Sequence, residues 1–90
     1  MKIKDGFVLR QVCNEQVIMA EGLKAIDFGK ILALNESATW LWKEARQMGD
    51  FTIESLADRL CEEYDVTKEN ALTDVAELIG NLRELNMIDD

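Results

Sequence analysis

Two different spacings of apolar residues divide the chain into a strand-rich first part and a helical remainder. Residues 7–13 and 16–20 alternate loosely and are rich in strand formers, and residues 30–34 form a further short apolar run. Asn14-Glu15 can serve as a two-residue turn because asparagine tolerates positive φ, and Gly29 predicts a bend before the third run. The pattern therefore predicts a three-stranded antiparallel sheet within the first 34 residues.

From residue 35 onward the apolar spacing changes to three and four, which predicts three helices. Asn35, Thr52 and Thr67 can each cap a helix N-terminus, because their side-chain oxygens accept hydrogen bonds from first-turn N–H groups. Gly49 is expected to end the first helix and Asn86 the third, with Met87 and Ile88 folding back as an apolar tail. The predicted fold class is α+β, a three-stranded antiparallel sheet followed by three helices in a winged-helix-like single domain over residues 1–90.

The third predicted helix carries more apolar surface than one core contact requires. Its apolar residues cover about half of the circumference at about 100° per residue, where a single contact needs a stripe of about 100°. They are Ala71, Leu72, Val75, Ala76, Leu78, Ile79, Leu82 and Leu85. Gly80, one turn from Ala76, adds a small-residue strip although glycine costs about 1 kcal/mol in a helix. We therefore expect part of this helix to remain available to a partner.

The two tryptophans of the chain cannot share one core. Trp40 and Trp42 are two residues apart on the first helix, which is about 200° of rotation. Trp42 falls on the apolar stripe with Ala38 and Leu41, so it is predicted to be buried. Trp40 points the other way, and three roles remain open for it: partly buried packing, self-association, or contact with a partner enzyme.

The composition favours binding over catalysis. The chain has no histidine, which removes the commonest general base near neutral pH, and two cysteines are too few for a structural zinc site. Cys13 and Cys61 are predicted to be reduced, small core residues. No glycine-rich phosphate loop or activated nucleophile is present, and the carboxylates are spread over solvent-facing positions. We expect neither enzymatic activity nor a cofactor.

The charge distribution argues against nucleic acid and anionic lipid as partners. The net charge is −8, and residues 35–90 hold five basic and fourteen acidic residues, a net charge of −9. Such a surface repels phosphate groups. No apolar run approaches the ~20 residues of a membrane span, and no secretion signal precedes the first strand. The expected location is the cytoplasm.

Three segments resemble the coenzyme pyrroloquinoline quinone synthesis protein D family. The strand-to-helix junction reads LNESATWLW, the second helix DFTIESLADRLCEEYDV, and the third helix DVAELIGNLRELNMI. Asn86 stands where the family usually has glycine. The resemblance extends from Phe7 to Ile88, and its order and spacing make the combination specific.

The resemblance implies a recognition element for ribosomally synthesised, post-translationally modified peptides. Members of the family bind the leader segment of a precursor peptide and present it to a modifying enzyme, often a radical S-adenosylmethionine enzyme. In the family the leader lies along the third strand and against the third helix. Carried over, the implied peptide-binding residues are Lys30, Ile31, Leu32 and Ala33 on the strand, and Leu72, Val75, Ala76, Ile79 and Arg83 on the helix. Two roles remain open for the basic residues Lys30 and Arg83: pairing with leader carboxylates, or simple exposure to solvent.

Other occupants of an open sheet edge remain alternatives. Strand addition by a peptide requires unpaired N–H and C=O groups, and the same edge can pair with a second copy to form a homodimer. A winged-helix DNA-binding module is another alternative, although the third helix offers only Lys68 and Arg83 against several acidic residues. A regulatory scaffold that contacts an enzyme without binding a peptide is a third alternative.

Overall fold

The computed structural model describes residues 1–20 and 31–89, which fold with strands and helices in the predicted order. The elements are β1 (Lys2–Ile3), β2 (Phe7–Val12), β3 (Glu15–Ala20), β4 (Ile31–Leu34), α1 (Glu36–Met48), α2 (Ile53–Glu63), α3 (Lys68–Glu84) and β5 (Ile88–Asp89). The three-stranded sheet has the order β2-β3-β4, and three helices follow it. The predicted α+β fold is confirmed. The described residues add a small two-stranded sheet of β1 and β5 that the apolar spacing does not predict.

The β2–β3 hairpin turns one residue earlier than predicted. Its register runs from Phe7 opposite Ala20 to Val12 opposite Glu15, so the two turn residues are Cys13 and Asn14. Both have positive φ, 50° and 71°, as two-residue turns of this hand require. Cys13 is therefore exposed at the hairpin tip, and its predicted place in the core is wrong.

β4 completes the sheet by pairing antiparallel with β3, from Leu34 opposite Gln16 to Ile31 opposite Met19. Successive side chains of a strand point to opposite faces. Leu32 and Leu34 pack half-buried against the core, whereas Ile31 and Ala33 are exposed. The predicted bend at Gly29 and the strand position Lys30 lie outside the described residues.

The helix ends fall where the capping residues predict them. Asn35, Thr52 and Thr67 each accept a hydrogen bond from the backbone N–H three residues later, at 2.8, 2.9 and 3.1 Å. Gly49 ends α1 with a φ of 77°, and Asn86 follows α3 with a φ of 58°. These cap predictions are confirmed. They succeed because each cap depends only on side chains within one turn.

The two ends of the described chain are joined beside the C-terminus of α3. Lys2 and Ile3 pair with Asp89 and Ile88, and the intervening Met87 is fully buried. The Lys4 Nζ donates to Asn86 Oδ1 at 2.8 Å. The predicted return of the apolar tail is confirmed, and it takes the form of a strand pair.

One core lies between the sheet and the helices. Its most enclosed large side chains, exposed by less than 2%, are Ile18, Leu41, Leu56, Leu60, Val75, Ile79, Leu82 and Met87. Trp42 is 5% exposed and belongs to this core, as predicted. None of the helices in residues 1–20 and 31–89 is long and apolar enough to cross a membrane.

Candidate functional site

The outer edge of β4 is the first component of the site. Among the described residues, β4 pairs with β3 on one side and with no strand on the other. Alternate residues of such an edge direct their N–H and C=O groups outward, where another extended chain can pair with them. Ile31, at the start of the edge, is 53% exposed, which is unusual for a large aliphatic side chain.

A cleft of about 330 Å³ lies between the end of β4, the first turns of α1 and the middle of α3, and we refer to it as the β4–α3 cleft. It is lined by Ala33 and Leu34 of β4, by Asn35, Ser37, Ala38 and Leu41 at the start of α1, and by Asp74, Glu77, Leu78 and Asn81 of α3. Ala33 belongs both to the sheet edge and to the cleft. A chain paired with β4 would therefore also meet the wall that α3 provides.

The α3 wall of the cleft combines an apolar base with an acidic rim. Leu78 and Leu41 are 5% and 1% exposed and form part of the base. Asp74, Glu77 and Asn81 are exposed and spaced by three and four residues, which places them in one row along the helix. No group of three or more Cys, Asp or Glu side chains in the described part of the chain lies close enough together to hold a metal ion. The arrangement suits contact with an extended chain.

The strand positions implied by the resemblance lie at this site. Ile31, Leu32 and Ala33 are the first three residues of β4, and Ala33 lines the cleft directly. Leu32 faces the core side and is half-buried. The pairing register directs its backbone groups towards Ile18 of β3, so Ile31 and Ala33 are the residues whose N–H and C=O groups point outward at the edge. Lys30 lies outside the described residues.

The helical positions implied by the resemblance are not brought to the cleft. Val75 and Ile79 are 0% and 1% exposed in the core, and Leu72 packs half-buried against that core. Ala76 and Arg83 are exposed, but at about 100° per residue they lie about 160° around α3 from Asp74 and Asn81. The β4–α3 cleft does not include these helical positions, whose contact with a peptide stays a prediction from the resemblance. The widest apolar face of α3 supplies the core, and the cleft wall is the more polar side.

The sequence pattern does not predict Asp74, Glu77 and Asn81 as site residues. They are polar, and the prediction for this helix relies on its apolar residues. No local signal in the sequence marks them. Exposed polar residues spaced by three and four, such as Asp74, Glu77 and Asn81, are equally typical of an ordinary solvated helix face.

A second cleft of about 540 Å³ lies on the other side of the start of α1, and we refer to it as the aromatic cleft. Trp40 and Tyr64 line it with Lys43. The two rings meet edge to face at 89°, with their centres 5.7 Å apart, and both side chains pack half-buried against the core. The partly buried structural role expected for Trp40 is confirmed, and its contact with a partner stays a prediction.

The α3 surface does not suit a nucleic acid. The Lys68 Nζ donates a hydrogen bond to Asp58, and this bond is the main reason why the pKa of Lys68 is raised. The positive charge of Lys68 is therefore already paired with the Asp58 carboxylate. The Arg83 guanidinium contacts Met1, its Nη2 lying 3.3 Å from the Met1 sulfur. Carboxylates of Asp74 and Glu77 would repel a phosphate backbone from the cleft side.

Comparison with known proteins places this geometry in context. Residues 15–88 match the protein family described as coenzyme PQQ synthesis protein D (PqqD). The fold is similar to a solved structure described as TbiB1 in complex with the TbiA(beta) leader peptide, with a TM-score of 0.73 and 20% identity over 100% of both chains. It is also similar to one described as lasso peptide synthetase B1 complexed with the leader peptide, with a TM-score of 0.68, 20% identity, and 92% of this chain and 89% of that chain covered. Comparison with curated protein sequences finds no match.

Proposed function

Because the chain belongs to the coenzyme PQQ synthesis protein D family, we propose that it binds the leader segment of a ribosomally made precursor peptide. The leader adds as a strand to the outer edge of β4 and lies in the β4–α3 cleft. The observation that carries this proposal is the outer edge of β4, which has no partner strand among the described residues and shares Ala33 with the adjacent cleft. The two similar folds, each described as a complex with a leader peptide, support the same function.

Backbone pairing alone is too weak to hold the peptide. β4 has four residues, and alternate residues point outward, so strand addition forms about four hydrogen bonds. At roughly 0.5 to 1.5 kcal/mol each these contribute about 2 to 6 kcal/mol. Micromolar affinity requires about 8 kcal/mol. For micromolar binding, contacts between leader side chains and the cleft must therefore supply the remaining free energy.

We propose further that the bound leader is delivered to a separate modifying enzyme, of the radical S-adenosylmethionine class that the resemblance implies. The aromatic cleft is the surface we assign to that enzyme. Apart from Leu34 and Asn35, its lining residues differ from those of the β4–α3 cleft. The two cysteines of the chain are free thiols, which favours the reducing cytoplasm as the location.

The leader proposal can be tested with synthetic peptides. Overlapping 20-residue peptides would cover the small reading frames next to the coding sequence of this chain, and fluorescence anisotropy would measure their binding. We expect one leader segment to bind. Ile31→Pro and Leu32→Pro each remove one backbone N–H, and only one of these N–H groups points away from β3. That variant should weaken binding by about tenfold or more while circular dichroism shows unchanged helix content.

A matched control lies on the opposite edge of the same sheet. Gln11→Pro places the same residue on β2 at a position whose N–H points away from β3, because Val12 and Glu15 form the hydrogen-bonded pair that closes the turn. This variant should leave peptide binding unchanged. If both β4 variants bind normally, strand addition at β4 is wrong. If Gln11→Pro alone abolishes binding, the peptide uses the β2 edge. Light scattering of the unliganded chain checks the homodimer alternative, because self-pairing would compete with the peptide and fall with dilution.

The enzyme-contact part of the proposal has its own test. Trp40→Ala should leave binding of the leader unchanged and weaken pull-down of the modifying enzyme encoded nearby. It should also lower stability, because an edge-to-face aromatic pair contributes about 0.5 to 1.5 kcal/mol beyond its burial. Tyr64→Phe keeps the ring pair and serves as the control. If the Trp40→Ala protein is destabilised but still binds the enzyme normally, Trp40 has only a packing role and the proposed enzyme contact is wrong.

A further inference from the structure

The α3 wall of the β4–α3 cleft carries two carboxylates that have no basic partner among the described residues. Asp74 and Glu77 line it, and within residues 1–20 and 31–89 neither forms an ion pair with a basic side chain. Other carboxylates do so, for example Glu44 with Arg59 at 2.9 Å and Asp58 with Lys68. Like charges three residues apart on a helix repel each other by a few tenths of a kcal/mol. Within the described residues, these two carboxylates are therefore available to a cationic group of a bound peptide.

The spacing of this wall fits the repeat of an extended peptide. The Cα atoms of Asp74 and Glu77 are separated by about 4.5 Å along the helix axis, and Asn81 extends the row to about 10 Å. In a strand, side chains on one face recur about every 6.6 Å. Lysine and arginine side chains are long and flexible enough to span the difference of about 2 Å between the spacing of the carboxylates and that of the strand. Two basic residues at positions i and i+2 of a bound strand can thus reach both carboxylates.

The opposite charge on the peptide would be excluded by the same wall. An acidic residue facing α3 would lie within the screening length, about 8 Å at physiological salt, of both carboxylates. Like-charge juxtaposition across an interface costs affinity and selects against the wrong partner. The overall charge of −8 adds a long-range field of the same sign. Charge complementarity therefore decides between acidic and basic leaders.

We infer that the leader segment bound at β4 carries lysine or arginine on the side that faces α3, and that Asp74 and Glu77 select for it. This inference rests on the proposed function and names the chemistry of its substrate. It reverses the polarity of the alternative in which Lys30 and Arg83 of this chain pair with leader carboxylates. Arg83, the described member of that pair, lies about 160° around α3 from Asn81 of the cleft wall.

The test uses a display library of random 12-residue peptides as the probe. The wild-type chain should enrich peptides with lysine or arginine at two positions spaced by two. The double variant Asp74→Asn/Glu77→Gln should still enrich apolar, strand-forming peptides but lose the basic excess. For individual wild-type-selected peptides, the double variant should raise the Kd by about threefold to tenfold, as expected for two partly exposed ion pairs. The difference should shrink at high salt.

A matched control separates the cleft from the general negative charge. Glu62→Gln/Glu63→Gln removes the same two charges from exposed positions of α2 and should keep the basic excess. Loss of the excess in this control, or its persistence in Asp74→Asn/Glu77→Gln, would overturn the inference. Enriched peptides that need the β4 edge but show no basic excess would overturn the inference and leave the proposed function intact. If the wild-type chain enriches no peptide, the proposed function itself fails.

Discussion

The two long faces of α3 differ in a way that separates stability from binding. On the core side, Val75, Ile79 and Leu82 are 0–1% exposed. On the cleft side, the exposed residues Asp74 and Asn81 form part of the rim of the cleft. A domain of 90 residues has little apolar surface to spare, because its surface is large relative to its volume. In such a domain the broadest apolar face of a helix is the one that the core uses.

The two edges of the three-stranded sheet show a similar division. On the β2 edge, Arg46 donates from Nη1 to the Phe7 backbone oxygen at 2.7 Å, and its guanidinium lies 5.1 Å from the Trp42 ring centre. An arginine side chain thus occupies part of that edge. The β4 edge borders the β4–α3 cleft instead. Natural sheets protect edges with charged side chains, so the less protected edge is the one available to a partner strand.

The largest expected effect follows from the core face of α3. Ile79→Ala removes a side chain that is 1% exposed and should lower the free energy of unfolding by about 2 to 5 kcal/mol. Urea denaturation measures this loss. Peptide affinity, determined at a temperature where the variant is fully folded, should remain unchanged because Ile79 does not reach the cleft.

The exposed Asn81 offers the contrasting change on the cleft face. Asn81→Ala should alter stability by less than about 0.5 kcal/mol, as surface substitutions usually do. A folded Ile79→Ala protein that binds peptide poorly would show that the leader contacts the face we place in the core, and the division between the two faces would be lost.

The next effect tests whether the cleft is the binding surface. Asn81→Trp places a large ring in a cavity of about 330 Å³ and should raise the peptide Kd by about tenfold or more, or 1.4 kcal/mol. Ala76→Trp introduces the same ring on the exposed opposite side of α3 and should leave the Kd unchanged. Isothermal titration calorimetry measures both variants. Equal losses of peptide affinity in the two variants would mean that the peptide does not bind in the β4–α3 cleft.

How far the sequence predicts the structure depends on the range of the interactions involved. Caps at Asn35, Thr52 and Thr67 were predictable because each involves one helical turn. The predicted hairpin turn was one residue too late in the chain, because several neighbouring residues can form a turn and the pairing of the strands decides which of them do so. The observed turn residues are Cys13 and Asn14. The β1–β5 pair was missed because two-residue strands carry no periodic signal.

The candidate site was predictable on the strand and not on the helix. The strand-to-helix junction is local, so Ile31 to Ala33 could be placed from sequence. Which side of α3 faces the sheet edge depends on how α3 packs against α2 and the sheet, and this is a tertiary property. Residues such as Glu77 have no local feature that distinguishes a cleft wall from an ordinary solvated face.

A smaller effect is expected at Gly80, which lies on an exposed part of α3. A Cβ built at Gly80 meets no atom within 4 Å, so Gly80→Ala should stabilise the chain by about 1 kcal/mol through helix propensity. In a domain of this size the melting temperature would rise by about 4 to 8 °C. Gly49→Ala is the control, because Gly49 has a φ of 77° and alanine there should be destabilising. A Gly80→Ala protein that loses peptide affinity would mean that the leader crosses this side of the helix.

The smallest expected effect comes from Arg83, which the resemblance assigns to the leader. Arg83→Gln should change the peptide Kd by less than about twofold, because its guanidinium contacts Met1 on the side of α3 away from the cleft. Asp74→Asn, measured with the same peptide, provides the comparison on the cleft side. If Arg83→Gln weakens binding more than Asp74→Asn, and salt abolishes the difference, an acidic leader binds on the Arg83 side. The acidic row of α3 would then face only solvent, and the groove would have to be sought on the side of the helix that meets the β1–β5 pair.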